Sequence, residues 1–199
     1  MNSSLKDPNY WFSLSHSQST EDVEALIDFV SHIYDEEKYG TVEDYFPLLM
    51  LLITHPNRRL KLLAIETLAM EEYEGLKKPL YELMVTEEDM ELKTDYLVYY
   101  FSAFDKGSRD IELVDLLLNY ALDKTLTDTF RVHSIKSIFH VWNQTSIVSH
   151  KFKWLWKMIE DVNNGEHFEE IMDWCKLQPI VLDVRPNLYE QHKTLFTEC

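Results

Sequence analysis

A chain of 199 residues with only 4 glycines and 6 prolines lacks the turn residues that an all-β or doubly wound fold of this length needs, and its 45% hydrophobic content excludes a disordered chain. Its 35 acidic against 19 basic side chains leave a formal charge of −16, which repels nucleic-acid phosphates and attracts cationic partners. The abundance of Leu, Glu, Lys and Met points to helix.

Taken in chain order, residues 1–18 read as a Ser- and Asn-rich lead-in whose aromatic island, Tyr10, Trp11 and Phe12, docks on the first helix. They hold no basic region followed by an apolar run, so no secretory signal is expected. Ser19-Thr20-Glu21-Asp22 starts the first helix, with a capping hydroxyl and acids in the first turn. Val23, Leu26, Ile27, Val30, Ile33 and Tyr34 follow at three- and four-residue spacing, which predicts one buried stripe ending at Lys38-Tyr39-Gly40.

Thr41 and Asp44 form a capping-box pair for a second helix carrying Tyr45, Leu48, Leu49, Leu52 and Ile53. His55-Pro56 stops it, because the residue before proline avoids helical geometry. Asn57 caps a third helix, Arg58 to about Met70, that is apolar nearly all round and so belongs inside a layered array. Further helices are predicted over about 76–85, 92–101, 110–122, 130–142, 151–162 and 166–175. A tail over 179–199 ends in a short helix, Leu188 to Phe196. The domain itself is expected over 19–178. The longest apolar stretch, about Phe46 to Ile53, is too short to span a bilayer, so no membrane partner is expected.

Three of the predicted helices align with one another. They begin Leu60-Lys61, Leu92-Lys93 and Phe130-Arg131, and their starts lie 32 and 38 residues apart. Each has a core-facing residue four later (Ala64, Tyr96, Ser134) and a large apolar residue eight later (Leu68, Tyr100, Ile138). They resemble the second helix of a HEAT repeat, in which an apolar-basic pair precedes small residues and a leucine. The likeness covers about 41–142, and more weakly 150–176. The middle copy departs from it, with bulky Tyr96 where the family has a small residue. The resemblance implies an all-α fold: a short α-solenoid of stacked antiparallel HEAT-like helix pairs, about eight to nine helices, with a concave face open to a partner. In such an array Lys61, Lys93 and Arg131 are placed to ladder with acids of adjacent repeats.

Residues that carry chemistry are sparse. There is no phosphate-binding glycine loop, nucleophile elbow or HExxH. His133 and His140 share a helix face at i and i+7, too far apart for one metal without a ligand between them. Asp28, His32 and Asp35 read as a solvated face rather than an acid–base set, since they lack the burial that shifts a pKa. Trp142, Trp154, Trp156 and Trp174 are expected to pack the last helices. Asp173-Trp174 and the Lys151, Lys153, Lys157 patch suggest a DNA glycosylase only until the charge is counted. Cys175 and Cys199 have neither metal nor disulfide spacing, which fits a reduced cytoplasmic protein.

The acids cluster at helix ends and turns, where successive turns of a solenoid share a rim. Glu71, Glu72, Glu87, Glu88, Asp89, Glu91 and Asp95, with Tyr99 beside them, are the candidate partner-binding residues. In size and charge the chain also resembles the small acidic helical immunity proteins that neutralise bacterial nuclease toxins. That resemblance implies a non-enzymatic inhibitor of a basic protein partner, with no cofactor and no metal. The alternatives are a general HEAT-like scaffold or adaptor, and an enzyme on a solenoid such as a DNA glycosylase or a chromophore lyase. The enzyme would need a buried pocket with convergent polar groups.

Overall fold

The computed structural model describes residues 3–17, 19–142, 181, 184 and 185. Among them the fold is all helix, with no strand. The helices predicted over 151–162, 166–175 and Leu188 to Phe196 lie outside the described residues, as do Trp154, Trp156, Asp173, Trp174 and both cysteines. The chain divides into two compact units, Met1–Leu80 and Tyr81–Cys199.

In the first unit, α1 (Pro8–Ser15) opens with the Asp7 carboxylate accepting the Asn9 N–H and with proline at its first position. It places Trp11 against α2 (Thr20–Ser31), where the indole stacks on Phe29 at 4.2 Å. Phe29 is a hub, since Tyr39 and Tyr45 also meet it edge-on at 5.1 and 4.9 Å. The Tyr45 hydroxyl donates to the Tyr39 carbonyl, so this aromatic centre leaves that buried polar atom satisfied.

The periodic stripe of α2 predicts a helix running to Tyr39. The structure breaks it at His32–Asp35 and restarts as a single turn, α3 (Glu36–Tyr39), capped by Asp35. One result is that Tyr34, expected on the buried stripe, is 49% exposed. Thr41 does bond Asp44, through its hydroxyl at 2.8 Å, but the pair frames a 3-10 turn over Val42–Tyr45. Pro47 explains this: it has no N–H for the Glu43 carbonyl and its ring crowds that carbonyl, so regular helix resumes only at α4 (Phe46–Leu52).

Asn57 accepts the Leu60 N–H at 3.0 Å and starts α5 (Arg58–Met70). This helix packs on both α2 and α4, which is why its Leu60, Ala64, Ile65 and Leu68 are fully buried. It ends on a left-handed residue, Glu72 at φ 47°, with Glu72 N–H bonding the Ala69 carbonyl and Tyr73 N–H the Leu68 carbonyl. That is a Schellman close with glutamate where glycine is favoured. α6 (Glu74–Thr86) follows and carries Pro79 within it.

In the second unit, α7 (Met90–Ala103) and α8 (Ile111–Leu122) both pack on α9 (Asp128–Val141). Nearly every side chain of α9 is buried or half-buried, so it is the central element of this unit. The α7–α8 connection closes over the end of α9. Gly107 and Arg109 donate their N–H groups to the His140 and Val141 carbonyls, both at 2.9 Å. Reaching those carbonyls requires left-handed backbone at Asp105, Gly107 and Arg109. The Tyr100 hydroxyl holds Asp105 in place at 2.6 Å. Within the predicted tail, Val181 is buried, and Arg185 clasps α8 through Asp115 and Asn119, each at 2.6 Å.

Candidate functional site

The helices that align in sequence, α5, α7 and α9, also align in burial. Ala64, Tyr96 and Ser134 are all fully buried, and so are Leu68 and Ile138. The second-position bases of α7 and α9 share a task. Lys93 Nζ reaches the carbonyls of Val85 and Glu87 at the end of α6, at 3.4 and 3.3 Å. Arg131 Nε donates to the Ala121 carbonyl in the last turn of α8 at 3.0 Å, and its guanidinium also bonds Asp128. His55, just beyond α4, is held below its ordinary pKa by burial and then by nearby Lys61. Lys93 and Arg131 therefore turn back to the end of the preceding helix, where carbonyls and the dipole favour a cation. The expected ladder put these bases against acids; carbonyls at helix ends are the partners seen for Lys93 and, together with Asp128, for Arg131.

The predicted acidic residues fall into two groups, one in each unit. Glu71 and Glu72 close α5 in the first. Glu87, Glu88 and Asp89 form the α6–α7 turn in the second, with Glu91, Asp95 and Tyr99 on α7. In the turn, Glu87 Oε1 accepts the N–H groups of Glu88 and Asp89, both at 3.0 Å. Asp89 Oδ1 accepts those of Glu91 and Leu92, capping α7. Two carboxylates of this run thus have a structural task, while Glu88 lies on the surface. Tyr99 is half-buried on α7, whereas Tyr96, Tyr100 and Phe101 belong to the core. Burial, then the bonded Asp105 carboxylate, raises the Tyr100 pKa.

At the first group the structure adds two residues. The pKa of Tyr34 is pushed up to about 12, first by partial burial, then by Glu71 and Glu66. Met70, on the last turn of α5, is 67% exposed. Tyr34 was hidden from sequence reasoning because its spacing fits the buried stripe. The acid run Asp35-Glu36-Glu37 directly after it was the signal that the stripe had ended.

Histidine chemistry is modest. His133, Lys136 and His140 lie half-buried along α9. Burial, then Lys136, lowers the His133 pKa to about 4; His140 is lowered by burial, then by Lys136 and Lys106. Asp28 and His32 pair at 3.2 Å on the open surface, and Asp35 is occupied in capping α3. Among the described residues, no three His, Cys, Asp or Glu side chains gather as a metal would require, and no helix is long and apolar enough to cross a membrane. No family model, curated protein or solved structure matches this chain.

Proposed function

We propose that this chain is a non-enzymatic binding protein of the cytoplasm, an acidic inhibitor of the immunity type that covers the basic face of a protein such as a nuclease toxin. The observation that carries the reading is the placement of surface carboxylates at helix ends on a chain of formal charge −16. A negative surface of this kind accelerates encounter with a cationic partner and disfavours phosphate-bearing ones. The scaffold in this reading is a HEAT-like stack. Its support is the recurrence of one burial pattern on α5, α7 and α9, and on α7 and α9 of one base turned toward the preceding helix end.

The test is the association rate with a basic nuclease domain encoded beside this chain. Raising salt from about 50 to 500 mM should slow association on the order of tenfold or more, since both surfaces are exposed to screening. A rate that ignores salt, or a partner without net positive charge, transfers the argument to a general scaffold or adaptor.

A further inference from the structure

We propose that the Asp115–Asn119 edge of α8 is an arginine seat filled in cis by Arg185, and that an arginine of a basic protein partner takes the seat by displacing the Arg185 side chain. This rests on the reading of the chain as a binder of a basic partner, and it names the surface, the side chain recognised and the group that blocks it.

Three observations carry it. First, a guanidinium already sits there. Arg185 Nε donates to Asp115 Oδ1 and Nη2 to Asn119 Oδ1, both at 2.6 Å, and the Asp115 carbonyl lies 3.5 Å from Nη2. Asp115 and Asn119 stand one helical turn apart, which matches the fork of an arginine; an ammonium offers only a point charge. The bond from Arg185 also lowers the Asp115 pKa, as expected of a carboxylate whose charged form is held by a donor.

Second, the seat opens to water. The Arg185 and Asp115 side chains are 27% and 45% exposed, whereas Arg131, which ties α9 to α8, has a side chain only 7% exposed. An ion pair so exposed contributes little to stability, so the guanidinium leaves at small cost. Val181 is fully buried and its carbonyl accepts the Arg185 N–H at 2.8 Å, so the backbone turn stays in place while the side chain swings out.

Third, the neighbouring surface suits the same partner. From Asp110 to Asp123 the chain carries four acids and no base. Asp110 is used in capping α8 and Asp123 in accepting from Thr125, while Glu112 lies on the surface. Glu112 and Ile111, the latter 61% exposed, precede Asp115 by three and four positions and share its face of the helix. They offer a second base and an apolar side chain of the partner a place beside the seat. A tethered arginine competes at an effective concentration on the order of millimolar, so Arg185 turns away isolated cations and yields to a partner that adds contacts along α8.

The experiment titrates the 15N-labelled full chain with the peptide acetyl-Gly-Arg-Leu-Arg-Gly-amide and its lysine counterpart at about 20 mM salt. The amides of Asp115 and Asn119 report the seat, and those of Glu88 and Glu91 report the acidic α6–α7 turn. The expected result is movement at Asp115 and Asn119, with the arginine peptide bound about fivefold tighter or more by Arg185→Gln than by wild type. Adding Asp115→Asn to that variant should weaken binding about tenfold, and the lysine peptide should bind severalfold weaker. Arg185→Lys keeps the charge and should bind at an intermediate affinity, which holds the test together even where glutamine disturbs the turn. Equal affinities in wild type, Arg185→Gln and Arg185→Lys, or binding indifferent to Asp115→Asn, make Arg185 a structural tie alone and overturn the proposal. Movement confined to Glu88 and Glu91 overturns this surface and leaves a basic partner standing. Absence of binding by either peptide overturns both readings.

Discussion

Replacing His133 with glutamine should flatten the acid limb of the stability profile. His133 sits half-buried on the central helix α9, and burial followed by Lys136 holds its pKa at about 4 against an ordinary 6.5. The unfolded chain regains the ordinary value, so between those two pH values it binds a proton that the native state refuses. Stability therefore falls as pH drops through this window, reaches its full loss below about pH 4, and is unaffected above about 6.5. At about pH 5 the loss attributable to His133 is roughly 2 kcal/mol. His140 is shifted in the same direction by burial, Lys136 and Lys106, so His133→Gln keeps a shallower slope rather than none. Urea midpoints at about pH 7.5 and pH 5 measure the difference for both proteins. An equal drop in wild type and His133→Gln refutes the reasoning.

Three further outcomes follow from local geometry. Glu72→Gly should raise stability by about 0.5–1 kcal/mol, because glycine occupies the left-handed close of α5 without a Cβ penalty; the urea midpoint reads it. Trp11→Ala should cost about 3–5 kcal/mol, since the indole stacked on Phe29 is 4% exposed; calorimetry should find the transition lowered accordingly. Asn57→Ala should cost about 1 kcal/mol by leaving the Leu60 N–H without its cap, seen as a lower midpoint with an unchanged denaturant slope.

The parts of the fold legible in sequence are those where one signal dominates. Ser19 before Thr20, and Asn57 before Arg58, announce α2 and α5, and both side chains cap as their types predict. Periodicity failed where apolar spacing outlasted the helix. Tyr34 and Tyr39 continue the rhythm of α2, yet the backbone breaks between them and only Tyr39 is buried. The Thr41–Asp44 pair has the composition of a capping box, but Pro47 six residues after Thr41 decides the geometry. The candidate site was readable to the same degree. Composition located the acids at turns. It could not tell that Glu87 and Asp89 would be used by their own backbone, because an acid that caps and an acid that waits for a partner look alike in sequence.

The inward turn of three bases, Lys93, Arg131 and Lys136, changes how their helix ends look from outside. Arg131 is 6% exposed, Lys136 is half-buried, and Lys93 is drawn to the carbonyls that close α6. Acids such as Glu72 and Glu88, by contrast, stand in solvent. At these three positions positive charge is drawn inward, while bases such as Arg58, Lys78 and Lys124 stand in solvent like the acids. An ion approaching the α6–α7 turn therefore meets the exposed Glu88 before the Lys93 ammonium, which is held on carbonyls. Substituting one of these inward bases would loosen a helix end while barely altering the attraction felt at a distance.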